Sequence, residues 1–595
     1  MSRRKIGGPA RLLLTLALLA LPVQSALGQS AGWLETPAEA TNYQNGGTLY
    51  QPLMDFVYEL ESRSELMSVR KLTETLGGRD MVLCVLSNPP IFQPGDLAGS
   101  DRPIVLIVNN VHGGEVAGKD ASMALMRDLV LGDLRPLLDE VTVLVVPTIN
   151  PDGAEVRRRT NDEGFDMNRD YIKLETQEIH ALVTKVVNEW HPHIHLDTHH
   201  GGSAPYTLTY QGNMNPAGDP NIMAFGDERI LPQVREALRA EDYDGFWYSG
   251  TTTVNGVDGW GPTSVEPRKQ HVYSTLANMV GFLYETPSGS HRLVDNGTRV
   301  VAVPDEERYQ HQVRGQYIGQ RELIRFAAEN SADLVNVVAQ ARADAIARGN
   351  DDSDNDQIPL EYEQVEEFST EFWRRVGGGR GPGGGGGEVE YELVTAPVFT
   401  KWTPTRTTTR PWGYLIPNSL SKIVPLLLDH GITVKQLTGD VEIEVEGYSA
   451  TEVTHEEYFQ AHYLKGVKAE KETKTVTMPA GSFFIPSGQP MSNFISYIFE
   501  PETNDNLITW GFLDNALRTT PSEAEVAAQR AQMEAMMAGM TAEERAQMSG
   551  RIERQMQQGS RPQELPMYRV MKKTEIPGVL VQSFNGYERN RYIRY

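Results

Sequence analysis

Short β-branched runs alternate with amphipathic helical stretches through residues 29–345, and this alternation limits what the chain can fold into. The strand-like runs occupy residues 104–108, 141–146 and 194–198, and the helical patterns occupy residues 119–131 and 174–190. Apolar strands separated by helices are typical of an α/β fold in which helices cover a buried sheet. Because functional groups in such folds collect at the carboxyl ends of the strands, we expect a site there.

Length and charge narrow the class of protein. The chain has 595 residues against about 150 for an average domain, so several units are expected. A net charge of −24 repels phosphate backbones and argues against nucleic-acid binding. With 23% charged residues, a polytopic membrane protein is excluded. The single cysteine, Cys84, rules out internal disulfides and cysteine-cluster metal sites, and its apolar neighbours predict a buried strand position.

The N-terminus has the pattern of a secretory signal peptide. A basic segment, residues 2–5, precedes an apolar segment, residues 12–23, and small residues follow. The apolar segment is too short to span a bilayer stably. We therefore expect residues 1–28 to be removed, and a mature chain beginning near Gln29 to act in a secreted or periplasmic location without stable membrane insertion.

Composition divides the remaining chain into a large unit, a linker and a second unit. The large unit, residues 29–345, carries the α/β pattern. Residues 346–387 are acidic and then glycine-rich, a composition typical of flexible chain. Residues 388–595 mix helical and alternating patterns, which predicts a smaller α+β unit. Within it, residues 521–558 are rich in Met, Gln, Ala and Glu, which predicts a helical insertion.

The first chemically informative pattern is His112-Gly113-Gly114-Glu115, directly after a strand-like run. A histidine and a glutamate three positions apart point to the same side of a turn. Imidazole nitrogen and carboxylate oxygen are both good zinc ligands. The two glycines let the backbone turn tightly and leave room for an ion. The pattern is common, however, and indicates a metal site only together with further ligands.

A histidine-rich strand supplies a further ligand. Alternation along the strand places one set of residues on a single face: His193, His195, Asp197 and His199. His199 lies nearest the strand end. It completes a set of two nitrogens and one carboxylate with a position left open for water, as catalytic zinc requires. We interpret His193 and His195 as core histidines, and His200, on the opposite face, stays the alternative ligand.

Two further features would serve chemistry beside a metal ion. Glu285 ends an apolar run before a Pro/Gly loop, and such a carboxylate can accept a proton from water. The arginines at 157–159 and Arg169 can bind an anionic substrate end through paired hydrogen bonds. Neither feature is specific by itself, since glutamates often end strands and arginines often lie on the surface.

Taken in order, these patterns resemble the zinc carboxypeptidase family, the metallocarboxypeptidases related to carboxypeptidase A. The resemblance covers residues 45–330 and rests on five motifs: His112-x-x-Glu115, Asn150-Pro-Asp-Gly153, Asp166-x-Asn168-Arg169, Asp197-x-His199 and Glu285. It implies a mixed, mostly parallel sheet flanked by helices, and one zinc ion (Zn2+) per site. The signal peptide and the second unit are similar to those of long secreted bacterial members.

The resemblance implies roles at the metal for five residues. His112, Glu115 and His199 match the zinc ligands of the family. Glu285 matches the general base that accepts a proton from the attacking water. Asp166 matches a carboxylate that orients the first zinc histidine, and such partners fix the tautomer and raise the basicity of the ligand.

The resemblance also implies how substrate is held. Asn168 and Arg169 match the pair that binds the substrate's terminal carboxylate. Arg159 falls where the family has an arginine that polarises the scissile carbonyl, with Arg158 as the less favoured alternative.

Two positions depart from the family pattern. Pro262, Thr263 and Ser264 stand where the family has a tyrosine that closes over substrate. We expect Tyr273 to substitute for it, while Tyr248 lies further upstream. His200 follows the zinc histidine where a small residue is usual.

Together these features imply a secreted zinc carboxypeptidase whose partner is a peptide with a free C-terminal carboxylate. One alternative is a zinc amidase that acts on cell-wall stem peptides or on acylated amino acids. Another is a non-catalytic peptide-binding protein on the same scaffold.

Overall fold

The computed structural model of the protein describes residues 34–518 apart from 98, 263, 354–355 and 377–388, together with residues 523–537, 562–583 and a few single positions between them. The expected signal peptide and the glycine-rich part of the expected linker lie outside the described residues.

The strands of the first unit are β1 (Met67–Glu74), β2 (Asp80–Leu86), β3 (Ile104–Asn109), β4 (Thr142–Val146), β5 (Ile194–His200), β6 (Leu208–Gln211), β7 (Gly245–Trp247), β8 (Thr251–Val254), β9 (Val257–Trp260), β10 (Val280–Thr286), β11 (His291–Val294) and β12 (Arg299–Ala302). Among the described residues, eight of them form a central sheet in the order β1-β2-β4-β3-β5-β10-β6-β7. The four middle strands, β4, β3, β5 and β10, run parallel, while β1, β2 and β6 join through antiparallel pairs. The predicted mixed α/β sheet is confirmed, with its parallel pairs in the centre.

The helices are α1 (Pro37–Ala40), α2 (Tyr50–Arg63), α3 (Ala117–Val130), α4 (Pro151–Glu155), α5 (Gln177–Leu182), α6 (Asn188–Trp190), α7 (Pro220–Phe225), α8 (Leu231–Ala240), α9 (Gln270–Leu276), α10 (Arg308–Glu329), α11 (Ser331–Asn350), α12 (Ile423–Asp429), α13 (Ser492–Phe499) and α14 (Glu523–Met537). One face of the sheet packs against α2, α3, α8 and α10 in a single apolar cluster that includes Ile107, Leu196 and Phe282. Cys84 lies buried in β2 in this cluster, as expected.

The second unit is built from β13 (Gln357–Val365), β14 (Phe368–Val376), β15 (Glu390–Val398), β16 (Lys401–Thr409), β17 (Gly413–Ile416), β18 (Lys435–Leu437), β19 (Val441–Phe459), β20 (His462–Met478), β21 (Phe483–Pro486), β22 (Gln563–Val570) and β23 (Gly578–Leu580). Strands β17 to β23 form a sheet in the order β20-β19-β22-β17-β21-β18-β23. The expected helical insertion contains α14.

The second unit shares its core with the first. The other face of the central sheet, including Leu106 and Val146, belongs to one buried cluster with Phe494 and Trp510 of the second unit. Strands β14 and β15 also join β8 and β9 in a common sheet. The two units are therefore joined by continuous apolar packing.

Part of the expected linker at 346–387 has regular secondary structure. Helix α11 continues to Asn350, and residues 357–376 form β13 and β14. The many charged residues of β14 gave no strand pattern in the sequence. Its inward residue Phe372 packs against Trp260 and Val398, which are distant in the sequence. Across the residues that the structure describes, no helix combines the length and the apolar character needed to cross a membrane.

Candidate metal centre

The loop after β3 is shaped by two asparagines. Asn110 has a left-handed backbone (φ 63°), and its Nδ2 donates to the carbonyls of His112 and Glu115 at 2.8 and 3.0 Å. Asn150, in the Asn-Pro-Asp-Gly turn, caps α4 and donates from Nδ2 to the carbonyl of Val111 at 3.0 Å. A Cβ at Gly113 would lie 2.1 Å from the backbone of the neighbouring turn. Glycine is therefore required for the two loops to meet.

This loop and the end of β5 bring three side chains together. The Nδ1 atom of His112 lies 2.9 Å from Glu115 Oε1, and His199 Nδ1 lies 2.8 Å from Glu115 Oε2. The two Nδ1 atoms are 3.1 Å apart, and the three potential ligand atoms all lie within 4.8 Å of one another. Ligand atoms around tetrahedral zinc are about 3.3 Å apart. Two imidazole nitrogens and an ionised carboxylate at this spacing fit a zinc ion.

Two carboxylates hold the outer nitrogens of the same histidines. Asp166 Oδ1 lies 3.0 Å from His112 Nε2, and Asp197 Oδ2 lies 2.8 Å from His199 Nε2. A carboxylate at Nε2 fixes the ring tautomer and leaves Nδ1 free to bind a metal. Strand alternation and the Asp-x-His spacing placed Asp197 on the same face as His199, but they did not predict its contact with the ring of His199.

The remaining strand histidines face other partners. The Nδ1 atom of His193 accepts the backbone N–H of Ile104 at 3.0 Å, and His195 Nδ1 lies 2.9 Å from the hydroxyl of Ser274. The Nε2 atom of His200 accepts the N–H of Ala117, at the start of α3, at 2.7 Å. Of the two adjacent histidines, the structure therefore brings His199, and not His200, to His112 and Glu115.

Glu285 lies beside this group. Strands β5 and β10 pair in parallel register with Glu285 opposite His199. The Glu285 side chain is buried, and its Oε2 has no hydrogen-bond partner among the described residues. Burial raises the pKa of Glu285 to about 7. A Cβ at Gly201 would lie 2.6 Å from Glu285 Oε2, so this glycine leaves the space that the carboxylate occupies.

The arginines divide between the site and the surface. Arg159 Nη2 lies 2.9 Å from Asp166 Oδ2, its Nη1 lies 3.3 Å from Glu115 Oε1, and about half of its side chain is exposed. Arg158 instead pairs with Asp162 on the outside. The structure thus places Arg159, rather than its neighbour, at the edge of the metal centre.

The two residues expected to hold the substrate carboxylate differ in their surroundings. Arg169 is partly exposed and lies 3.9 Å from Asp166 Oδ2. Asn168 is buried, with Nδ2 3.2 Å from His199 Nε2 and with Oδ1 accepting the N–H of Gln270 at 3.0 Å. The Oδ1 atom of Asn168 is therefore used inside the protein, and its expected contact with the substrate carboxylate stays a prediction.

Tyr273 also has its partner inside the protein. It is fully buried in α9, and its hydroxyl lies 3.1 Å from His430 Nδ1 of the second unit. Its expected contact with substrate stays a prediction, and in this structure the hydroxyl of Tyr273 faces the second unit. Tyr248, at the end of β7, is only half-buried. Burial first, and then the charges of Glu285 and Glu115, raise the pKa of Tyr248 to about 12.

Comparison with known proteins agrees with this geometry. Residues 53–225 match the model of the zinc carboxypeptidase family. Carboxypeptidase 2 of Trichophyton tonsurans is 22% identical over 429 residues, covering 69% of this chain and 74% of its own. Carboxypeptidase 2 of Trichophyton rubrum is 24% identical over 430 residues, covering 69% and 74%.

One solved structure illustrates the extent of structural similarity. A metallo-carboxypeptidase from Burkholderia cenocepacia is 21% identical, covers 46% of this chain and 68% of its own, and superposes with a TM-score of 0.36. The family match starts in α2, ends in α7 and includes His112, Glu115 and His199. Residues 53–225 therefore carry a zinc carboxypeptidase domain, and the relatives that resemble the chain over about two thirds of its length are carboxypeptidases.

Proposed function

We propose that this protein removes the C-terminal residue of peptides by zinc-dependent hydrolysis, with Glu285 as the general base. The observation that carries the proposal is the convergence of His112, Glu115 and His199. Beside them lies the buried carboxylate of Glu285, whose Oε2 has no hydrogen-bond partner in the described part of the chain.

The chain would hold the ion through Nδ1 of His112, Nδ1 of His199 and the carboxylate of Glu115. Zinc bound there supplies Lewis acidity, which polarises a carbonyl and makes water more acidic. Asp166 and Asp197 keep both imidazoles turned inward. The side-chain amide of Asn168 also contacts the ring of His199 and helps to hold that ring in place.

Glu285 would carry the proton. Its Oε2 accepts a proton from the attacking water, and the same oxygen then donates that proton to the nitrogen of the leaving amine. With a pKa of about 7, this carboxyl group can do both near neutral pH. Burial also keeps bulk water from competing for its oxygens.

Two arginines would fix the substrate. The partly exposed guanidinium of Arg169 binds the terminal carboxylate through paired hydrogen bonds. Arg159, beside Glu115, donates to the carbonyl oxygen of the scissile bond. Holding both ends of the last residue makes the final peptide bond the one that is cut. In place of the buried Tyr273, we assign Tyr248 as the tyrosine that closes over bound substrate.

The test compares matched peptides that differ only at the C-terminus. Purified zinc-loaded protein should release the last residue from free-acid peptides and leave C-terminal amides intact, as measured by mass spectrometry. A chelator should abolish release and added zinc should restore it. Hydrolysis only of cell-wall stem peptides or N-acylated amino acids would replace this proposal by the amidase alternative. Full zinc content without hydrolysis of any substrate would favour a binding protein.

We also propose that the protein is exported from the cytoplasm, from the basic and apolar segments in residues 2–23. Cell fractionation with N-terminal sequencing tests this. A chain that begins near Gln29 outside the cytoplasm is expected, and an intact N-terminus in the cytosol would contradict it.

A further inference from the structure

A long β-hairpin of the second unit reaches the metal centre. Its strands, β19 and β20, have 19 and 17 residues, whereas strands average about 5–6 residues. At about 3.3 Å per residue, the arm spans roughly 60 Å. Irregularities in the pairing, between residues 450 and 452 and between 455 and 458, interrupt its register. The tip of the hairpin lies against the first unit.

The turn at the tip has an unfavourable backbone. Gln460 and Ala461 both adopt left-handed conformations, with φ of 50° and 62°. Two-residue hairpin turns of this kind favour Asn-Gly, because a side chain with a Cβ is strained there. Strain of this sort persists where the surrounding contacts hold the residue in place. The side chain of Gln460 has such a contact.

That contact leads to a zinc-binding histidine in two steps. Gln460 Oε1 accepts the backbone N–H of Asp166 at 2.9 Å. The Asp166 carboxylate in turn lies 3.0 Å from His112 Nε2 through one oxygen and 2.9 Å from Arg159 Nη2 through the other. Gln460 therefore holds the backbone of the residue that orients both groups.

Contacts on both sides fix the tip. Directly after the turn, His462 Nε2 lies 2.9 Å from the carboxylate of Glu175. Directly before the turn, the ring centre of Phe459 lies 5.3 Å from the guanidinium of Arg268. Both contacts join the hairpin to segments that flank the centre, residues 166–175 and 266–270. The tip is thus docked on the scaffold of the site.

We propose that Gln460 is a positioning residue for the metal centre, so that the second unit completes the active site by fixing Asp166 and through it His112. The inference deepens the proposed carboxypeptidase function and rests on it for its effect on rate. Its effect on zinc affinity can be measured independently of any substrate.

The test uses side chains of equal length in the full-length protein. Gln460→Met removes the acceptor, whereas Gln460→Glu keeps an oxygen for the Asp166 N–H. Lys468→Ala is the matched control, because this exposed residue lies on the same hairpin and pairs only with the exposed Glu452 among the described contacts. Zinc affinity is measured by competition with a chelator, and kcat and KM on a free-acid peptide.

We expect Gln460→Met to weaken zinc binding by about 3- to 10-fold and to lower kcat by a similar factor, with KM unchanged. This loss is smaller than the one expected when a carboxylate in direct contact with a metal-binding histidine is removed. Gln460→Glu should retain wild-type affinity, and so should Lys468→Ala. Gln460→Ala should lower zinc affinity and kcat in the same way. This second variant shows that the effect does not come from methionine disturbing the turn. Wild-type zinc affinity and kcat in both Gln460→Met and Gln460→Ala would overturn the proposal. If none of the proteins cleaves peptides, the proposed function fails, while zinc affinity still decides the role of Gln460.

Discussion

Glu285 and His199 lie side by side on paired parallel strands, directly opposite each other in the register of β10 and β5. Neighbouring strands are about 4.8 Å apart, so the register of the sheet sets the distance between the expected base and a metal ligand. A slip of one residue would turn Glu285 to the opposite face of the sheet. The core residues of both strands, which fix that register, are therefore part of the catalytic geometry.

Replacing Glu285 by Gln should remove the base and leave the metal. We expect kcat to fall by about 10²- to 10⁴-fold, while zinc content stays at the wild-type level because Glu285 is not among the ligand group. Glu236→Gln, at an exposed position of α8, is the control. Unchanged turnover in Glu285→Gln would exclude this residue from the mechanism.

The pH dependence of hydrolysis should show the ionisation of Glu285. Burial raises the pKa of its carboxyl group to about 7, and only the ionised form accepts a proton. The value of kcat/KM should therefore rise with pH through this pKa and level off above it. A bound cation favours the carboxylate, so the zinc-loaded midpoint should lie at or below about 7. A pH–rate profile that rises towards acid over this range would contradict the assignment.

Gly201→Ala tests the space beside the base. The new Cβ would lie 2.6 Å from Glu285 Oε2, and the carboxylate would have to move because the glycine backbone is compatible with alanine. A displacement on the ångström scale can cost about 10²-fold in rate, with zinc affinity and folding retained. Gly439→Ala, at a position open to solvent, should behave as wild type in the same kinetic measurement. Equal rates for both variants would show that Glu285 tolerates the displacement.

Replacing Tyr248 should change the kinetics of hydrolysis, and replacing Tyr273 should change the stability of the fold. Tyr248→Phe should lower kcat/KM, because it removes the hydroxyl that we assign to the substrate contact, and leave the free energy of unfolding nearly unchanged. Tyr273→Phe should leave kinetics unchanged and lower the free energy of unfolding by about 1 kcal/mol, because it loses the contact with His430. Steady-state kinetics and urea unfolding of both variants decide between the tyrosines, and the reverse pattern would restore Tyr273 as the substrate residue.

Glu178 should make the protein less stable as pH rises. Burial raises the pKa of its carboxyl group from 4.5 to about 7, so the folded state binds this proton more tightly than the unfolded state. Its stabilising contribution is complete below about 4.5 and is lost as pH rises to about 7. Glu178→Gln should therefore gain up to about 3 kcal/mol over wild type at pH 8, and gain nothing at pH 4. Urea unfolding at both pH values measures the difference, and an equal gain at both would show that ionisation is not its cause.

Local patterns were enough to predict the central α/β sheet and its candidate residues. Strand alternation placed His199 and Asp197 on one face, and the spacing of His112 and Glu115 placed both on one turn. These predictions depend on backbone geometry over a few residues, which the order of residue types specifies directly. The same patterns missed β13 and β14, since the apolar partners that cover Phe372 come from distant parts of the chain.

The sequence alone determined which side chains this protein carries at the ends of its strands, and so which chemistry it can support. Only the tertiary structure decided that His200 turns to α3, that Tyr273 faces the second unit, and that Gln460 meets Asp166 across 294 residues of chain. The reason is physical: short-range spacing fixes the direction of a side chain within its element. Which element it then meets depends on how all the buried surfaces pack together.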